Sequence, residues 1–110
     1  MEELIQEYLE TMRATKGLAA RTLVAYRTDL AQFRRFLAAR GVTAPGGVTH
    51  LVVREFLARL KEEGFTRSSI GRKVAAVRSF FRYLCRSGLL VQNPLAGVAT
   101  PRRERRLPRL

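Results

Sequence analysis

The sequence predicts an all-α fold: an orthogonal four-helix bundle with a short fifth helix and a basic C-terminal linker. Three observations predict it. Apolar residues recur at helical spacing over four segments, no segment alternates with the two-residue period of a strand, and a glycine follows each periodic segment. With 110 residues, 46% of them apolar, the chain suits one domain around one core.

The first helix is expected over about Glu2 to Thr15, with Leu4, Ile5, Tyr8, Leu9 and Met12 on one face and Gly17 as its stop. The second runs from about Ala20 to Arg40. Leu23, Tyr26, Leu30, Phe33 and Leu37 form the clearest amphipathic stripe in the chain, and Gly41 ends it. Pro45-Gly46-Gly47 marks a loop. Thr49 then suits the N-cap of a third helix that turns Val53, Phe56, Leu57 and Leu60 inward and stops at Gly64. A fourth helix starts between Thr66 and Ser68 and reaches about Arg86, with Ile70, Val74, Val77, Phe81 and Leu84 inward and Gly88 closing it. Asn93-Pro94 reads as a cap with proline at the first helical position, opening one short turn through Val98. From Pro101 the chain carries two prolines and five arginines in ten residues, which fits a linker or arm and not a core element.

Charge narrows the function. Twenty-one Lys and Arg face nine Asp and Glu, a formal net charge of +12, and all but three of the bases are arginine. Four of the acids, Glu2, Glu3, Glu7 and Glu10, lie in the first ten residues, so the remainder has a balance of +16. Such a surface suits a polyanion, and the arginine fork suits phosphate and guanine. Codon bias toward arginine, with the charge serving only solvation, is the plain alternative. No apolar run is long enough to span a bilayer, the N-terminus lacks a basic and then apolar leader, and Cys85 is the only cysteine. The expected location is therefore the cytoplasm.

Catalysis finds little support. His50 has no second His or Cys nearby to complete a metal site and reads as a residue of a helix start. Cys85 lies beside an apolar stripe, as a small core residue does. No paired carboxylates, glycine-rich phosphate loop or Ser/His/Asp set stands out, so neither an active site nor a cofactor is expected.

The polar faces are more informative. On the fourth helix Ser68, Arg72, Ala75 and Ser79 fall opposite the core stripe, with Ser69 and Ala76 beside them. On the second, Arg21, Val24, Thr28, Gln32 and Arg35 do the same, with Thr22 and Ala25 on the flank. Asp29 is the one acid on either helix, an exception to faces of small, hydroxyl and arginine side chains. Small residues admit close approach to a groove, hydroxyls bond phosphate, and arginine reads phosphate or guanine. Two ordinary solvated faces are the competing reading.

Several landmarks occur in order: Leu18-Ala-Ala-Arg-Thr-Leu-Val-Ala-Tyr-Arg-Thr-Asp-Leu30, Phe33, Phe36-Leu37 and Gly41, then Ser68-Ser69-Ile70, Val77-Arg78, Phe80-Phe81-Arg82-Tyr83-Leu84 and Asn93-Pro94. Together they resemble the N-terminal core-binding (SAM-like) domain of tyrosine recombinases and phage integrases, nearest to the Xer type. Pro101 to Leu110 is similar to that family's interdomain linker. The resemblance implies a DNA-binding domain over residues 1–100 and a basic linker over 101–110. It further implies a clamp over one face of a recombination half-site, the second and fourth helices bordering the major groove. Carried over by position, Thr22, Ala25, Thr28, Ser69 and Arg72 face the groove, with Arg67 and Lys73 beside them as phosphate contacts. The family often has Ser or Thr where Ala19 stands, so the second helix is expected to lack its cap. The family's catalytic residues lie in a second domain, expected beyond Leu110. The implied partners are duplex DNA, that catalytic domain and further recombinase protomers, in DNA integration, recombination or chromosome dimer resolution. A module for an acidic protein, or for RNA, is the rival from another class. Single-strand binding needs exposed aromatics, and the nine here fall mainly on core stripes.

Overall fold

The computed structural model describes residues 1–98, so the basic segment expected over residues 101–110 lies outside it. Four α-helices build the domain, and there is no strand among the described residues. Helix α1 spans Glu2–Thr11, α2 Ala20–Ala39, α3 His50–Glu62 and α4 Arg67–Arg86. The first helix does not stop at Thr11. Its backbone widens into a π-turn over Met12–Lys16 and ends at Gly17, whose φ of 63° lies in the left-handed region that glycine enters without a steric cost.

The other three helices end alike. Val42 N–H returns to Leu37 C=O at 2.9 Å, Phe65 to Leu60 at 3.2 Å and Leu89 to Leu84 at 3.0 Å, each across a glycine of positive φ. This six-to-one closure satisfies a carbonyl that the helix leaves without a partner. At the opposite ends, Thr49 Oγ1 accepts from Val52 N–H at 3.2 Å and Thr66 Oγ1 from Ser69 N–H at 3.1 Å. Ala19 provides no such bond to α2, as its side chain requires.

Helix α4 packs against α1, α2 and α3, and its contact with α2 is the most extensive. An unbroken series of rings joins the four helices. Tyr8 meets Phe80 at 5.5 Å, Phe80 meets Phe81 at 5.4 Å, Phe81 meets Phe33 at 6.2 Å, and Phe33 meets Phe56 at 4.9 Å, all near edge-to-face. Phe33, Val74, Val77 and Phe81 are buried together, while Leu23 and Tyr26, expected with them, are half-buried at the margin of the core.

The central place of α4 corrects two expectations. Ala76 was placed beside the polar face and is fully buried, and Ser79 was placed on that face but accepts a 2.7 Å hydrogen bond from Tyr8 Oη. Tyr8 of α1 reaches this part of α4, so the open polar face is interrupted at Ser79, with Arg82 and Arg86 exposed beyond it. The expected short fifth helix is instead a pair of successive turns. Ala96 N–H bonds Asn93 C=O and Val98 N–H bonds Leu95 C=O, each at 3.0 Å, and Asn93 Oδ1 accepts from Leu95 N–H at 2.9 Å. Leu95 and Val98 enter the core, and Arg78 Nη2 holds Val98 C=O at 3.1 Å.

Candidate nucleic-acid interface

Together α2 and α4 carry ten Lys and Arg and a single acid, Asp29. That acid does not lie on an open face. Its side chain is 0% exposed and receives three charged hydrogen bonds from α4. Arg72 Nε donates to Oδ2 and Arg72 Nη2 to Oδ1, both at 2.9 Å, while Lys73 Nζ reaches Oδ1 at 3.0 Å. The Arg72–Asp29 pair is the bidentate fork, the strongest geometry for this pairing.

This contact fixes how the two helices meet. Thr22, Ala25 and Asp29 follow one another at i, i+3 and i+7 on α2, while Ser68 and Ser69 precede Arg72 by one turn on α4. Joining Asp29 to Arg72 therefore sets the two strips side by side. Arg67, Ser68, Ser69, Gly71 and Arg72 line a depression of about 510 Å³ at the start of α4. Arg21, Thr28, Arg35, Arg67, Ser68 and Arg72 are exposed, and Thr22, Ala25 and Ser69 are half-buried between them. Thr28 Oγ1 donates to Val24 C=O at 3.1 Å, which leaves its lone pairs outward. Arg35 is set apart, two turns beyond Thr28, in a second depression of about 530 Å³ shared with Arg40 and Arg59.

Lys73 requires correction. The resemblance implied a phosphate contact, yet its side chain is 6% exposed, its ammonium is committed to Asp29, and it lies 4.7 Å from the centre of the Phe65 ring. It sits on the inward stripe of α4, between Ile70 and Val77, and only the carboxylate opposite makes that burial tolerable. Arg72 differs, because 49% of its side chain remains exposed beyond the fork. The bond to Asp29 pushes its guanidinium above the ordinary arginine value, against an opposing effect of burial.

All nine aromatic side chains are buried or packed against the core, so the interface has no stacking platform for unpaired bases. Among the described residues no three His, Cys, Asp or Glu are grouped to hold a metal ion, and no helix is long and apolar enough to cross a membrane. His50 is exposed at the start of α3 and Cys85 is half-buried. Asp29 too was misplaced by the sequence pattern, as an exception on a polar face. Its spacing of four and eight from Phe33 and Leu37 put it beside the core stripe, opposite a lysine that was itself on a core stripe.

The phage integrase N-terminal SAM-like domain profile matches residues 5–88. The chain is 39% identical over 109 residues to tyrosine recombinase XerC of Roseiflexus castenholzii, covering 99% of this chain and 35% of the relative. It is 44% identical over 108 residues to tyrosine recombinase XerC of Pelobacter propionicus, covering 96% of this chain and again 35% of the relative. This chain thus spans about a third of the length of the curated relatives it matches. Among solved structures, the integrase from mycobacterium phage Brujita shares its fold with a TM-score of 0.71 at 23% identity, over 99% of this chain and 36% of the integrase. With three quarters of its residues inside the profile and two such relatives, the chain belongs to the family of phage integrase N-terminal SAM-like domains.

Proposed function

We propose that this chain binds double-stranded DNA as the core-binding domain of a tyrosine recombinase, laying α2 and α4 along one face of a recombination half-site. The observation that carries this reading is the pair of adjacent helices itself: nine arginines, with the one acid and the buried Lys73 sequestered in the Asp29–Arg72–Lys73 contact. Arg21 and Thr22 lie in the first turn of α2, and Arg67 and Ser68 in the first turn of α4. There the positive end of each helix adds to the attraction for phosphate. Hydroxyl and arginine contacts of this kind fix register, and a few groove contacts add sequence preference.

In this proposal residues 1–100 are the DNA-binding unit and residues 101–110 a basic linker toward a catalytic domain. The role of this unit is to position DNA for strand exchange by that domain, alongside other recombinase protomers. The curated relatives supply the class of parent, and DNA integration or chromosome dimer resolution are its candidate uses.

Competition separates the readings. A labelled duplex bound to the chain is challenged with unlabelled duplex, single-stranded DNA, an RNA hairpin and polyglutamate. Unlabelled duplex should displace it best. Displacement by the RNA or by polyglutamate at equal or lower charge concentration would overturn the proposal in favour of an RNA or acidic-protein module.

A further inference from the structure

The geometry points to Arg72 as a base-reading residue that meets guanine end-on, and to Asp29 as the buried residue that positions it. This inference rests on the proposed binding of duplex DNA. A guanidinium can approach guanine by its Nε/Nη2 side or by its Nη1/Nη2 end. In this domain Asp29 occupies the side, with both bonds at 2.9 Å. The end alone remains for a base, on a side chain that stays 49% exposed and lines a depression with Ser68 and Ser69.

Two constraints make the presentation rigid. Asp29 is itself fixed, because Lys73 grips its Oδ1 at 3.0 Å from inside the core and leaves it no freedom to follow the arginine outward. The fork then restrains the rotation of the guanidinium plane. A free surface arginine loses that freedom when it binds, whereas this one has lost it on folding. A merely phosphate-binding arginine gains little from a fixed plane, since phosphate accepts from many directions. A guanine edge, with O6 and N7 in one plane, rewards it. The neighbouring side chains Ala25 and Thr22 on α2 and Ser68 and Ser69 on α4 are short, so they leave the arginine end clear to approach a groove.

The test separates orientation from charge. In Asp29→Asn combined with Lys73→Met, one acid and one base are removed, so the formal net charge of the chain stays at +12. The neutral amide cannot accept both arginine bonds, and no buried ammonium is left without a partner. The full 110-residue chain is used to select from a randomised duplex pool, and the enriched positions are read by sequencing. Each protein then binds the selected duplex and the same duplex carrying A·T at the enriched guanine. The wild type should discriminate between the two by roughly 5- to 150-fold, the range of a good bidentate contact. Arg72→Ala and the Asp29→Asn/Lys73→Met pair should each lose most of that ratio, and combining all three changes should lower it no further. Lys73→Met alone, which leaves the fork in place but frees Asp29 from its inner restraint, should lose only part of it, whereas Glu7→Ala on α1 should retain it. Urea unfolding of each variant verifies that it is folded at the assay temperature. A charge-matched pair that keeps the wild-type ratio, or a wild-type pool with no guanine that depends on Arg72, overturns the inference while DNA binding stands. A chain that captures no duplex overturns the function reading and this inference with it.

Discussion

Asp29→Asn should destabilise the fold by about 3–5 kcal/mol, the cost of leaving a buried charge without its counter-ion. The structure assigns that cost unequally. Arg72 has half of its side chain in solvent and can hydrate once released, whereas Lys73, at 6% exposure, cannot. Most of the loss therefore falls on the ammonium, and adding Lys73→Met should recover it to within about 1–2 kcal/mol of the wild type, because an apolar side chain of similar length replaces the stranded charge. Urea unfolding followed by circular dichroism measures both. At a slope of about 2 kcal/mol per molar for a domain of this size, the single variant should lower the midpoint by about 2 M and the double variant by less than about 1 M. A single variant costing under about 1 kcal/mol, or a double variant costing the sum of its parts, would refute the assignment of the penalty to Lys73.

Phe81→Ala, which empties the centre of the ring series, should cost about 3–5 kcal/mol in the same assay. Tyr8→Phe removes only the 2.7 Å bond to Ser79 and should cost about 0.5–1.5 kcal/mol. Thr66→Ala deletes the cap of α4 and should cost about 0.5–2 kcal/mol, with a loss of helical signal on heating. Burial pushes the Tyr8 hydroxyl above its ordinary value, with the bond to Ser79 opposing. The folded state thus retains a proton that the unfolded chain has already released, so stability should be flat below the ordinary tyrosine value and fall as the pH rises beyond it. Ultraviolet titration at several pH values should show one tyrosine ionising late, and this feature should vanish in Tyr8→Phe.

The helices were legible because each signal was local. Apolar spacing, threonine before an apolar run and glycine after it are decided within one turn of the chain, and Thr49, Thr66, Gly41, Gly64 and Gly88 act where the sequence places them. Two features were not local. A stripe read along one axis assumes one buried face, and α4 has three neighbours, so Ser79 was read as on an open face and Ala76 as beside it, although Tyr8 of α1 bonds the first and the second is fully buried. Charge is also read as exposure by default. Asp29 was read as an exception on a polar face and Lys73 as a phosphate contact, although their spacing sets each among inward residues of its helix. A buried acid and a buried base on separate inward stripes are a recognisable pair, but their pairing is set by tertiary register that no single segment encodes. The candidate face was found on both helices from small, hydroxyl and arginine residues. What spacing could not supply was the clamp that holds Arg72 in place.

The most direct measurement is the fluorescence anisotropy of a labelled duplex titrated with the chain at several salt concentrations. If the α2–α4 face neutralises about five phosphates, log K should fall against log salt with a slope of about −4 to −5. Arg67→Ala should reduce that slope by roughly one, and Arg72→Ala and Thr28→Ala should each weaken binding. Glu7→Ala, on the acidic face of α1, should not weaken it. The account is contradicted if all three substitutions on α2 and α4 bind as the wild type does and only removal of residues 102–110 abolishes binding.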